Sequence, residues 1–120
     1  MTEKTILIVD DDADIRDVIR MRLERSSYRV IEAGDGKEAL QLIHSYLPDV
    51  VLLDWQIPGV QGDQLLKTLQ TDKTFDSIKV IIITGEDEAA KNALQHGAFA
   101  SLVKPFGPLE LLTKLREALA

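Results

Sequence analysis

Continuous apolar runs rich in isoleucine, valine and leucine occur at residues 6–9, 50–53 and 80–83. None of them alternates with polar positions, which predicts strands buried on both faces. Weaker strands read at residues 28–32 and 100–103. Between the runs the apolar spacing turns helical. Ile15, Val18, Ile19 and Leu23 form one stripe, Leu65, Leu66 and Leu69 a second, and Ala89, Ala90, Ala93 and Leu94 a third. Leu112, Leu115 and Leu119 form a fourth, and residues 36–45, with Ala39, Leu40 and Ile43, supply the remaining helix.

The punctuation agrees with this pattern. Gly34 and Gly36 bracket a turn after the second strand, and Pro48 precedes the third. Gly97 follows the fourth helix, where a terminating glycine is common, and Pro108 takes the first position of the last helix, where its missing N–H costs nothing. Five strand-then-helix repeats result, and such regular alternation predicts a parallel sheet with helices on both faces. No low-complexity stretch or linker breaks it, so residues 1–120 read as one domain.

Composition narrows the function. At 120 residues, 45% hydrophobic and 28% charged, the chain matches one globular domain able to bury a continuous core. It has no cysteine, which excludes a disulfide framework, a thiol nucleophile and a cysteine–zinc site. Its two histidines, His44 and His96, stand far apart and read as helix-surface residues. A net charge of -6 argues against nucleic acid and against an anionic membrane as partners. The N-terminal run is too short for a signal peptide, and no stretch approaches the roughly 20 apolar residues that span a bilayer. A cytoplasmic location is the expectation.

In an open parallel sheet, ligands bind beyond the carboxyl ends of the strands. There the sequence places Asp10, Asp11 and Asp12 after the first strand, Asp54 after the third, Thr84 after the fourth and Lys104 after the fifth. Carboxylates gathered at neighbouring strand ends repel one another unless a cation separates them. Hard oxygen ligands without histidine or cysteine favour Mg²⁺. A cation, a free carboxylate, a lysine and a threonine together suit phosphoryl transfer: metal and ammonium neutralise the phosphoryl oxygens, the hydroxyl contacts another, and a carboxylate acts as nucleophile. Strand-end placement does not decide which aspartate is attacked.

The order and spacing of these motifs resemble the bacterial response-regulator receiver domain. The resemblance rests on Ile6-Leu7-Ile8-Val9-Asp10-Asp11-Asp12, on Leu52-Leu53-Asp54-Trp55-Gln56-Ile57-Pro58-Gly59 with Gly62, on Ile83-Thr84-Gly85, and on Val103-Lys104-Pro105-Phe106. Any one of the four is weak; in register they cover nearly the whole chain. The resemblance implies a flavodoxin-like three-layer sandwich: a five-stranded, doubly wound parallel sheet, order 2-1-3-4-5, with five helices. It implies Asp54 as phosphoacceptor and Asp11 as a direct Mg²⁺ ligand, with Mn²⁺ as a substitute. Asp10 acts mainly through a water, and the backbone carbonyl of Gln56 completes the metal site. Lys104 pairs with Asp54 and then with the phosphoryl group, and Thr84 binds a phosphoryl oxygen. The Lys104–Pro105 bond is often cis in similar domains. Gln56 and Glu86, two residues beyond Asp54 and Thr84, flank the path of attacking water and tune the lifetime of the phosphoryl group.

Two positions depart from the family pattern. Ser101 stands three residues before the lysine, where an aromatic usually rotates inward as Thr84 moves; the nearest aromatic is Phe99. Gln61 replaces the usual acidic residue before Gly62. Taken alone, Asp10, Asp11 and Asp12 fit helix capping better than metal binding, and Asp12 and Asp14 stay in that class. Lys104 alone reads as a surface lysine and Thr84 as a turn residue, while Trp55 fits a rim or loop. Lys91, Asp87 and Glu88 read as a solvated helix face. Asp54 is harder to dismiss, since it follows the buried run Val50-Val51-Leu52-Leu53, where an unpartnered charge is costly.

The expected function is therefore a signalling module. A histidine kinase or histidine phosphotransfer protein donates a phosphoryl group to Asp54, and the modification switches binding to a downstream protein target or a tethered output domain. Catalysis is limited to self-phosphorylation and autodephosphorylation. A haloacid-dehalogenase-like phosphatase would instead use Asp10 and Asp12 as its Asp-x-Asp, but such enzymes usually need a longer chain and a capping element. A pseudo-receiver that only binds partners would not need Asp10, Asp11, Asp54, Thr84 and Lys104 together. A flavodoxin-like cofactor binder would need a phosphate-cradling loop where this chain has aspartates, which repel phosphate without a metal.

Overall fold

The computed structural model describes residues 3–58 and 61–120; Gly59, quoted above with its motif, lies outside them, as do Met1 and Thr2. Five strands and five helices alternate: β1 (Thr5–Val9), α1 (Ala13–Arg25), β2 (Arg29–Ala33), α2 (Gly36–Tyr46), β3 (Val50–Asp54), α3 (Gly62–Thr71), β4 (Lys79–Thr84), α4 (Asp87–Gln95), β5 (Ala100–Val103) and α5 (Pro108–Leu119). The sheet is parallel in the order β2-β1-β3-β4-β5, as expected. A 3₁₀ turn, Lys73–Phe75, sits between α3 and β4.

Successive strand residues point to opposite faces of the sheet, so the apolar runs feed two cores. Leu7, Val9, Val51, Leu53 and Ile82 pack with Ala39 and Ile43 of α2, Leu65, Leu66 and Leu69 of α3, and Ala93 of α4. Ile6, Ile8, Val50, Leu52, Ile81 and Ile83 pack on the other side with Ile19 and Leu23 of α1 and Leu111 and Leu115 of α5. Every residue of β3 is buried, which is why that strand reads as an uninterrupted apolar run.

The helix ends follow from local chemistry. Asp12 caps α1, its carboxylate accepting from the N–H groups of Asp14 and Ile15, and Asp35 caps α2 through the N–H of Glu38. Gly97 follows α4 with φ +96°, a backbone state that glycine enters without a Cβ penalty. Pro108 opens α5 behind Gly107.

Some details differ from the sequence reading. Val18 and Leu94 belong to their helical stripes but are 47% and 45% exposed, while Ile19, Leu23, Ala90 and Ala93 of the same stripes are buried. In α5 the fully buried positions are Leu111 and Leu115, with Leu112 and Leu119 only half-buried. The second strand is Arg29–Ala33, one residue later than expected. Phe75, in the 3₁₀ turn, is among the largest fully buried side chains, and the exposed His44 ring packs edge-on against it at 5.1 Å.

Candidate functional site

Register decides which side chains meet. Val9 pairs with Leu53, Asp54 with Ile83, and Thr84 with Val103, so the carboxyl ends of β1, β3, β4 and β5 finish within a residue of one another. Asp10, Asp54, Thr84 and Lys104 therefore emerge on one rim. Among the described residues the buried polar or charged side chains are Asp10, Asp54 and Thr84, at 1%, 8% and 2% exposure, and all three stand there. Burying polar groups is costly, and their concentration at one strand-end rim sets this place apart from the rest of the molecule.

Lys104 crosses the rim. Its ammonium donates to Oδ2 of Asp10 at 3.1 Å and to Oδ2 of Asp54 at 3.3 Å. The other oxygens are held from the backbone: Asp12 N–H donates to Oδ1 of Asp10 at 2.9 Å, and Gln56 N–H donates to Oδ1 of Asp54 at 3.0 Å. Glu86 N–H donates to the Thr84 hydroxyl at 3.3 Å. The Lys104–Pro105 peptide is cis.

Burial is the main cause that raises the Asp54 carboxyl above its ordinary 3.8; the Asp10 charge adds to it, while the Gln56 N–H and Lys104 hold it back. Burial also opposes the Lys104 charge, but hydrogen bonding to Asp10 and the charges of Asp54 and Asp10 outweigh it, so the ammonium holds its proton above the ordinary 10.5.

Oxygens of Asp10, Asp11 and Asp54 come within 4.8 Å of one another. Three carboxylates face one ammonium, which leaves two negative charges uncompensated. The donors are hard oxygens from a partly buried pocket, and that set suits Mg²⁺ rather than a softer metal. Asp12, the second aspartate of the phosphatase alternative, is instead spent on capping α1, so the structure does not favour that reading.

The remaining expected residues fall around this pocket. Gln56 and Glu86 are exposed and line the same cavity of about 500 Å³ beside Trp55. A second cavity, about 640 Å³, is lined by Asp11, Gln61 and His96 and shares Trp55 and Gln56 with the first. Ser101 is half-buried in β5, opposite Ile82. Phe99 lies outside the core, with the Lys79 ammonium 5.7 Å from its ring.

Sequence reasoning missed two features. His96 is exposed as expected, yet its ring faces Trp55 at 6.4 Å. Arg16, Arg20 and Glu32 form an ion-paired group behind Asp10, with Arg16 donating to Glu32 at 3.2 Å and Arg20 at 2.8 Å. The available signal was a pair of arginines one helical turn apart and a glutamate next to the last residue of the edge strand Arg29–Ala33.

Residues 6–116 match the response regulator receiver domain. The chain belongs to that family. It is 40% identical over 121 residues to the phosphate regulon transcriptional regulatory protein PhoB of Pseudomonas aeruginosa, a match covering 99% of this chain and 53% of that protein. The PhoB of Escherichia coli is 35% identical over 94% of this chain and 50% of its own length. The receiver thus spans about half the length of the curated relatives it matches. Among solved structures, a putative response regulator from Chloroflexus aurantiacus superposes with a TM-score of 0.93 at 32% identity, covering 98% of each chain. The chemotaxis response regulator CheY4 of Vibrio cholerae superposes with 0.90 at 30%, covering 98% of this chain and 99% of that one. The protein is a signalling receiver, and its acidic pocket of Asp10, Asp11 and Asp54 fits a phosphoacceptor site. Receiver domains bind Mg²⁺ at this pocket and interact with histidine kinases and output domains. No helix among the described residues is long and apolar enough to cross a membrane.

Proposed function

We propose that Asp54 accepts the phosphoryl group. The observation that carries this reading is the pairing of Asp54 with Lys104 at the end of a fully buried strand, beside Asp10 and Asp11. An oxygen of Asp54 attacks the phosphorus of a phosphohistidine. The P–N bond breaks, its electron pair leaves with the imidazole, and an acyl phosphate forms on Asp54. Lys104 follows the charge from the carboxylate to a phosphoryl oxygen, and the Thr84 hydroxyl donates to another.

Asp11, Asp54 and the backbone carbonyl of Gln56 would hold Mg²⁺, or Mn²⁺ in its place, with Asp10 acting mainly through a water, and the bound ion would supply positive charge to the phosphoryl oxygens. Gln56 and Glu86, facing one cavity, control how water reaches the acyl phosphate and so how fast the domain dephosphorylates itself. The donor is a histidine kinase or histidine phosphotransfer protein, and the recipient of the signal is a downstream protein or a tethered output domain, in the cytoplasm. Residues 1–120 act as one receiver unit. The net charge of -6 supports protein partners over nucleic acid or membrane for this domain.

Borohydride reduction of the phosphorylated protein tests the assignment. It converts an aspartyl phosphate to homoserine, and peptide mass analysis should find that change at residue 54. Homoserine at residue 10 would overturn it in favour of the phosphatase chemistry.

A further inference from the structure

The three carboxylates of the pocket are not held alike. Asp10 and Asp54 each accept hydrogen bonds on both oxygens. Asp11 is exposed, and among the described residues its side chain accepts none, so its direction rests on its backbone. The peptide joining Asp10 to Asp11 is gripped from behind. Arg16, in the first turn of α1, donates from Nη1 to the Asp10 carbonyl at 2.5 Å, while the peptide before it is anchored by the Asp10 N–H, which donates to the Ala33 carbonyl at 3.1 Å.

Arg16 is itself fixed. Its Nε donates to Oε1 of Glu32 at 3.2 Å, and the other oxygen of Glu32 accepts from Arg20 at 2.8 Å. Arg20 also pairs with Asp17 at 2.9 Å. The guanidinium lies against Gly34, where an added Cβ would stand 3.5 Å from Nη1. A planar guanidinium can bridge a carbonyl and a carboxylate at once, which an ammonium on a flexible stem does less well.

We propose that Arg16 is a positioning residue for divalent-cation binding. By fixing the Asp10–Asp11 peptide it aims Asp11 into the pocket, and Glu32 cancels the positive charge that would otherwise oppose a cation nearby. The proposal rests on the reading of the acidic pocket as the Mg²⁺ site. Residues that orient ligands from behind typically contribute 10–100-fold in metal affinity. The sign is informative. If the charge of Arg16 dominated, removing it would tighten cation binding; if its grip dominates, removal weakens it.

The test is titration of the whole chain with MgCl₂, followed by calorimetry and by the fluorescence of Trp55, the one tryptophan in the sequence. Arg16→Met should weaken Mg²⁺ binding about tenfold with an unchanged far-ultraviolet circular dichroism spectrum. Arg16→Lys, which keeps the charge and a donor, should recover part of the loss, and it carries the test alone if Arg16→Met does not fold. Folded variants that bind Mg²⁺ as tightly as the wild type, or more tightly, overturn the proposal. Asp11→Asn separates the two failures. If it abolishes binding while the Arg16 variants do not alter it, only the role of Arg16 falls. If the wild type shows no saturable binding, or Asp11→Asn keeps it, the pocket reading fails and takes this proposal with it.

Discussion

The ammonium of Lys104 lies 3.3 Å from Oδ2 of Asp54, although 50 residues separate the two in the chain. Lys104 leaves the edge strand β5 and reaches past the end of β4 to β3, then on to Asp10 beside β1. The contact exists only once the central strands have paired, so the pocket is a product of the assembled sheet rather than of any local segment. Lys104 is also the cation that the buried carboxylates share.

Removing that cation should cost both stability and function. Lys104→Met leaves Asp10 and Asp54 facing each other unpaired. Loss of a partner from a buried pair costs about 3–5 kcal/mol, and partial solvent access at Lys104 lowers the expectation to about 1–3 kcal/mol. Urea denaturation in EDTA measures this. Phosphorylation by acetyl phosphate should slow by about 100-fold, the scale of losing one charge-stabilising donor.

Asp54→Asn should do the reverse to stability in the absence of metal. The folded carboxyl holds its proton above the ordinary value, so the native state binds it more tightly than the unfolded chain does. Ionised Asp54 therefore destabilises the fold: the penalty is absent below the ordinary carboxylate range and grows as pH rises through the raised folded value. Asn carries no such penalty, and at neutral pH the expected gain is on the order of 1 kcal/mol, read as a higher urea midpoint in EDTA. Saturating Mg²⁺ should narrow or reverse the difference, since the cation binds the native wild type. Lys104 does not disturb this window. Its raised pKa contributes stability that is complete below the ordinary lysine range and is lost only as pH climbs through its folded value.

How much of this was legible beforehand varied with the physical signal. The strand ends were legible because Val50 to Leu53 and its counterparts in β1 and β4 are buried on both faces, which forces unbroken apolar runs that stop where Asp10, Asp54 and Thr84 begin, whereas Lys104 follows the weaker strand β5, broken by half-buried Ser101. Asp12 was legible as a cap because the reach of its side chain to the next N–H groups is local. Phe75 was not, since a single 3₁₀ turn has too few residues to show a period. Val18 and Leu94 show that a helical stripe is wider than the face that is buried. The Arg16–Glu32 pair joins a helix to a strand 16 residues on, and in sequence each charge resembles solvated surface.

Phe75→Ala should lose about 3–5 kcal/mol, a large part of the stability of a domain this size. The urea midpoint of the variant measures it. A loss below about 1 kcal/mol, the scale of an ordinary surface change, would mean that the ring is not a core element.

Gly62 opens α3 against the backbone of Trp55: a Cβ there would stand 2.7 Å from the Trp55 carbonyl oxygen and 3.1 Å from its Cα. Backbone cannot yield as a flexible side chain can. Gly62→Ala should cost about 1–3 kcal/mol and shift the emission of Trp55, since the indole carbon Cε3 is 3.1 Å from the same point.

Gln56 and Glu86 share a cavity beside the pocket without touching Lys104. Replacing both with alanine should change the decay rate of the acyl phosphate several-fold, on the order of the modest end of general acid–base effects, while leaving stability near the wild type. Loss of the phosphorylated species over time, after removal of the donor, reads the rate directly. An unchanged rate would remove both residues from any role in its control.

The most direct test is the intact mass of the protein after incubation with acetyl phosphate and Mg²⁺, beside Asp54→Asn and an EDTA control. A single phosphoryl adduct on the wild type, absent from both controls, is the predicted result. An adduct that persists in Asp54→Asn would contradict the account, as would one formed equally well in EDTA.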